Sequence, residues 1–109
     1  MIVHCSLWKF KEGTPQSVVE EAVREWRALL GGVPSIRRIE VGPDLGDWPE
    51  NYDIAALVYF DSAKGYEEYR DDPVHLEFGY KYLVPHVEDL HMRAAVQFEL
   101  PAAEGSAHG

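Results

Sequence analysis

Residues 52–60 read Tyr52-Asp53-Ile54-Ala55-Ala56-Leu57-Val58-Tyr59-Phe60, and Asp53 is their one charged member. Ile54, Ala56, Val58 and Phe60 fall on one side of an extended chain, and Ala55, Leu57 and Tyr59 on the other. Alternation with both parities apolar is the pattern of a strand covered on both faces. A strand of this kind sits inside a sheet and needs a layer above and a layer below.

The flanking sequence supplies those layers. Residues 2–10 alternate as a first strand, with Val3, Cys5 and Leu7 on one face and His4, Ser6 and Trp8 on the other,. Thr14-Pro15 reads as a helix cap followed by a first-turn proline,. Val18, Ala22, Trp26 and Leu29 recur at helical spacing beside Val19, Val23 and Leu30, until Gly31-Gly32 stops the run,. A second strand is expected over residues 35–41 and an irregular loop over 43–51, which is rich in turn formers,. Asp61-Ser62 caps a short helix through Tyr69, another helix runs from Pro73 towards Leu83 or Val84, and residues 91–100 alternate as a last strand.

The order β-α-β-β-α-β is that of an α+β, ferredoxin-like sandwich. Residues 1–100 form the domain, and 101–109 read as a disordered tail,. Two helices cover only one face of such a sheet. The face carrying His4, Ser6 and Trp8, with one side of residues 52–60, is assigned to the uncovered side, and Cys5 to the helix side. An apolar open face needs a cover, and a second copy related by a two-fold axis is the simplest one. The expectation is a homodimer that closes a dimeric α/β barrel with interior cavities.

The chain has 109 residues and a formal charge of -9, with 19 acidic residues against 10 basic ones. Lys9/Lys11 and Arg37/Arg38 do not make a basic stripe, so neither nucleic acid nor an anionic membrane is an expected partner. With Cys5 as the sole cysteine there is no intrachain disulfide and no four-thiolate metal site,. No signal peptide or membrane span is read, and a cytoplasmic protein is expected. His86, Glu88, Asp89 and His91 have ligand-type side chains but no standard zinc spacing,. There is no phosphate cradle, nucleotide fingerprint or nucleophile elbow,. No metal or organic cofactor is expected.

Chemistry concentrates in Tyr69-Arg-Asp-Asp-Pro73-Val-His75-Leu-Glu-Phe78. Proline disfavours α geometry in the residue before it, so Asp72 is predicted to break the helix and Pro73 to start the next. His75 then stands near a helix N-terminus, where the dipole opposes protonation. A neutral imidazole near physiological pH is what a general base requires. The alternative reading is a histidine that packs on Phe78 and Tyr82 and does no chemistry.

The same segment heads a set of signals: Ile2-Val-His4, Lys9-Phe-Lys11, Val33-Pro-Ser-Ile36, Tyr52-Asp-Ile-Ala55, Phe60-Asp-Ser62 and Tyr69-x-x-x-Pro73-x-His75-x-x-Phe78. In this order they resemble the stress-responsive dimeric α/β-barrel (Dabb) family over residues 2–99. The resemblance implies a ferredoxin-like protomer and a barrel homodimer. By similarity to the family's plant olivetolic acid cyclase, it implies His75 as base, with Tyr69 positioning it and His4 lining the same cavity. Trp8, Trp26, Ile54 and Phe78 are expected to shape the substrate pocket. Trp26 and Ile54 depart from the cyclase, which has a tyrosine and a histidine there. The implied function is a small cofactor-independent cyclase or lyase-type enzyme for a polyketide-like or β-dicarbonyl substrate. The alternatives are a stress-responsive barrel that binds a hydrophobic ligand without turnover, and a cofactor-free monooxygenase.

Overall fold

The computed structural model describes residues 1–101, and the tail expected over 101–109 lies, from residue 102 on, outside the described residues. The chain runs β1 (Ile2–Trp8), α1 (Gln16–Arg27), α2 (Leu29–Gly32), β2 (Arg38–Pro43), β3 (Ile54–Phe60), α3 (Ala63–Asp71), α4 (Pro73–Tyr82) and β4 (Arg93–Glu99), with 3₁₀ turns at Val84–His86 and Leu90–Met92. The sheet order is β2-β3-β1-β4 and every neighbouring pair is antiparallel. Each βαβ unit is thus split by one strand of the other, which gives the ferredoxin-like arrangement expected.

Two boundaries differ from expectation for local reasons. The second strand starts at Arg38 rather than residue 35, because Ile36 N–H donates to Val33 O (3.2 Å) in a turn that buries Ile36. Thr14 caps nothing: its hydroxyl donates to Lys11 O (2.6 Å), and the extended Pro15 precedes a helix that begins at Gln16.

The register settles which face of β1 is which, and it reverses the assignment made from sequence. Trp8, Ser6, His4 and Ile2 lie opposite Ile54, Ala56, Val58 and Phe60 of β3. The latter four are at most 1% exposed beneath the helices. Directly opposed residues share a face, so His4, Ser6 and Trp8 belong to the helix-covered side. Val3, Cys5 and Leu7 pair with Tyr59, Leu57 and Ala55 on one flank, and with Phe98, Val96 and Ala94 on the other. This is the uncovered face. Val96 and Phe98 are 55% and 44% exposed there. At its β2 side Tyr59 Oη donates to Glu40 (2.8 Å), and Arg38 pairs with the same carboxylate.

The core fills the covered side. Val19, Ala22, Val23 and Trp26 of α1 and Phe78 of α4 join the buried side of β3 in one cluster. Removing a valine, isoleucine or phenylalanine side chain from water is worth roughly 1.5–3 kcal/mol, and the alanines contribute less.

Between α3 and α4 the chain breaks where Pro73 requires it. Asp72 is extended (φ −69°, ψ 130°), and its Oδ1 accepts the Val74 N–H at 2.8 Å. Asp72→Ala removes this cap, and the expected loss is about 1 kcal/mol of unfolding free energy. Thermal denaturation that shows no loss would mean that proline alone sets the break.

Candidate functional site

A cavity of about 250 Å³ lies between the sheet and the helices of a single protomer. The sheet contributes His4, Ser6 and Trp8 from β1 and Arg93 from β4. Trp26 enters from α1, Tyr66, Tyr69 and Arg70 from α3, and His75, Leu76, Gly79 and Tyr80 from α4. The sequence had led us to expect a cavity between two facing sheets. The register moves it to the helix side, because the polar face of β1 lies there.

Five of the residues singled out from sequence meet at this cavity: His75, Tyr69, His4, Trp8 and Trp26. Ile54 and Phe78 do not line it. Ile54 is 1% exposed in the core, opposite Trp8 on the adjacent strand. Phe78 packs its ring on Trp26 (centroids 5.3 Å apart) and faces a separate groove beside Tyr82.

The helix break places His75 and fixes its tautomer. In a continuous helix Arg70 O would accept the N–H of Val74, four residues on. Val74 N–H is taken by Asp72, so the Arg70 carbonyl is released, and His75 Nδ1 meets it at 3.4 Å. A carbonyl only accepts, so Nδ1 carries the proton and Nε2 keeps the lone pair. Burial lowers the His75 pKa below 6.5, the Arg70 carbonyl offsets part of that, and the nearby His4 lowers it further. Desolvation leads here, and the helix dipole invoked from sequence is not needed to explain the direction.

Tyr69 lies against His75 with ring centroids 3.9 Å apart and a 31° interplanar angle. It is 1% exposed, and its other side rests on Phe60 at 5.2 Å. Burial pushes its phenol up to about 12, with the Trp26 indole N–H offsetting part of the rise. Tyr69 therefore stays protonated at neutral pH. The buried Tyr69 hydroxyl and Trp26 Nε1 are near enough to influence each other but do not meet hydrogen-bond geometry, and neither has another partner among the described residues. Such groups are uncommon in folded proteins.

His4 is the second imidazole, 6.0 Å from the Tyr69 ring and 5.3 Å from Tyr66. Its Nδ1 donates to Gln97 Oε1 at 2.6 Å, which again leaves Nε2 as acceptor,. Burial lowers its pKa, the Gln97 bond opposes that, and the Arg93 charge lowers it further. Trp8 Nε1 donates to the buried Ser6 hydroxyl at 2.9 Å, which fixes the indole. Gln97, Arg93, Ser6 and Tyr66 were not singled out from sequence. Gln97 and Arg93 become visible only through the pairing of β4 with β1, which sets them opposite His4 and Trp8.

Among the described residues, no group of three or more His, Cys, Asp and Glu side chains could hold a metal ion. His91, at the position weighed for one, stands fully exposed beside Asp89. No helix among them is long and apolar enough to cross a membrane.

His4 and His75 both bind protons less readily in the folded chain than at the ordinary value of 6.5. Their contribution to stability is complete above pH 6.5 and declines as pH falls through the folded-state values. The melting temperature is expected to drop on acidification from pH 7 to 5, with a shallower drop in His75→Gln. A flat profile in the parent protein, or an identical slope in the variant, would contradict the shift.

Comparison with known proteins follows the same outline. Residues 2–99 match the stress responsive A/B barrel domain, Dabb. No curated protein matches the sequence. A dimeric ferredoxin-like protein of unknown function from Thermobifida fusca is 29% identical, with a TM-score of 0.77 over 91% of this chain and 90% of that one. A dimeric protein of unknown function and ferredoxin-like fold from Bacteroides fragilis is 27% identical, with a TM-score of 0.73 over 91% and 95%. Hydroxynitrile lyase from Passiflora edulis shares the fold at 18% identity, with a TM-score of 0.75 over 94% of each chain. The match over residues 2–99 makes this chain a member of the stress-responsive A/B barrel domain (Dabb) family.

Proposed function

We propose that the protein is a small cofactor-independent enzyme of the cyclase or lyase type, acting on a polyketide-like or β-dicarbonyl compound in the helix-covered cavity. The observation that carries the reading is the state of His75: half-buried, shifted towards neutrality and held through Nδ1 by a backbone carbonyl. Its Nε2 is the general base, and it removes a proton from carbon between two carbonyls. The resulting carbanion is delocalised onto the carbonyl oxygens as an enolate, which attacks a second carbonyl or expels a leaving group. Tyr69 acts by position, because its ring holds the imidazole plane and its phenol stays neutral. His4, with Nε2 likewise free, carries the proton between base and product.

The uncovered sheet face supports a homodimer. Cys5, Leu57, Val96 and Phe98 make an apolar surface on the side away from the cavity. Relatives at 29% and 27% identity are dimeric ferredoxin-like proteins. In this assembly the two sheets close the barrel while each cavity stays within its own protomer. An obligate interface of this type buries on the order of 2,000 Å² or more. Light scattering of Val96→Asp is expected to give a folded monomer where the parent is a dimer. A parent protein that is monomeric at micromolar concentration would exclude the assembly.

The chemistry is tested with a β-keto ester in deuterated buffer, following loss of the proton between its carbonyls by NMR. The parent should accelerate exchange above buffer, and His75→Ala should lower the accelerated rate by about 10²–10⁴-fold with the fold intact. Tyr69→Phe keeps the ring stack and should cost less. A barrel that only binds a hydrophobic ligand would give no acceleration in any variant.

A further inference from the structure

Arg93 is the unexplained charge of the cavity. It stands on the helix side of β4, directly opposite Trp8 in the β1–β4 register, and lines the cavity. Arg70, the other arginine there, donates from Nε and Nη2 to the two carboxylate oxygens of Asp71, each at 3.0 Å. No carboxylate among the described residues pairs with Arg93, although the chain carries 19 acidic residues against 10 basic ones. Its guanidinium instead lies over the Trp8 ring at 5.8 Å. That ring is itself pinned, because Trp8 Nε1 donates to Ser6 inside the wall. Ser6 orients Trp8, and Trp8 carries Arg93. Arg93 is an exposed residue, and its guanidinium sits at the edge of a largely apolar cavity with no acid partner among the described residues. The Arg93 charge reaches inward far enough to lower the His4 pKa.

A planar guanidinium matches a carboxylate through two parallel N–H···O bonds, and stacking on an indole preserves that fork. We propose that Arg93 is a specificity-determining residue that captures a ligand carboxylate at the Trp8 end of the cavity, leaving the ligand's remaining carbons to lie towards His75. The proposal rests on the reading of the cavity as a substrate site, and narrows its substrate class to carbonyl compounds that carry a free carboxylate. A neutral ester or amide of the same shape would fill the apolar space but leave Arg93 unpaired.

The test uses 3-phenylpropanoate and 3-phenylpropanamide, titrated into the intact protein at neutral pH, with the Trp8 indole N–H resonance as readout. The acid should bind the parent at least about tenfold more tightly than the amide, as a charge-assisted pair would give. That preference should fall to about one in Arg93→Gln and be partly restored in Arg93→Lys, which keeps the charge without the fork. It should persist in His75→Ala. Equal binding of the two compounds by the parent, binding of neither, or an acid preference retained by a folded Arg93→Gln would each overturn the proposal. These outcomes separate it from the assignment of His75. Loss of the acid preference leaves the base intact, whereas proton exchange that is insensitive to His75→Ala removes the base and leaves the anion site standing.

Discussion

A helix cannot run through the Asp72-Pro73 bond, and the arrangement of the cavity depends on that steric constraint. Proline pushes Asp72 to extended geometry,. Asp72 then captures Val74 N–H, which would otherwise have bonded to Arg70 O. The freed carbonyl becomes the partner of His75 Nδ1. One backbone break thus supplies a helix cap, separates α3 from α4 and leaves an acceptor for the His75 Nδ1–H. The unprotonated state comes from a different source, because burial disfavours the imidazolium by more than the Arg70 carbonyl and the Asp72 carboxylate favour it,.

The second organising feature is the unusual distribution of polarity across the sheet. In most open-faced sandwiches the helices cover the apolar side and water meets the polar side. Here β1 directs His4, Ser6 and Trp8 under the helices and Val3, Cys5 and Leu7 outward. The inversion has a physical reason at each end. The polar groups under the helices find partners, Gln97 for His4 and Trp8 for Ser6, and line a cavity. Outside, Cys5 and Leu7 with Val96 and Phe98 make an apolar surface suited to a second sheet, while Val3, between Tyr59 and Phe98, is only 1% exposed.

How much of this was readable in the sequence follows from the same chemistry. Element order came through because strand alternation, the Gly31-Gly32 stop and the Asp72-Pro73 break are local signals. His75 and Tyr69 stand out in the sequence for the same reason, since both flank the break, and both line the cavity. The face of β1 does not. Val3, Cys5 and Leu7 alternate with Ile2, His4, Ser6 and Trp8, and alternation separates two faces without saying which one a helix covers,. The cavity was consequently placed between sheets. Gln97 and Arg93 were missed because their meaning depends on pairing between strands at opposite ends of the chain. Ile54 and Phe78 were placed on the pocket by family likeness, and each is one neighbour removed from it, Ile54 beside Trp8 on the adjacent strand and Phe78 against the Trp26 ring.

The account depends most on His75 being a neutral imidazole with its lone pair on Nε2 at working pH. Nitrogen-detected NMR of the histidine rings across a pH titration measures both properties at once. The account predicts a His75 resonance pattern with the proton on Nδ1 and a titration midpoint below 6.5. A midpoint at or above that value, or a proton resident on Nε2, would contradict it.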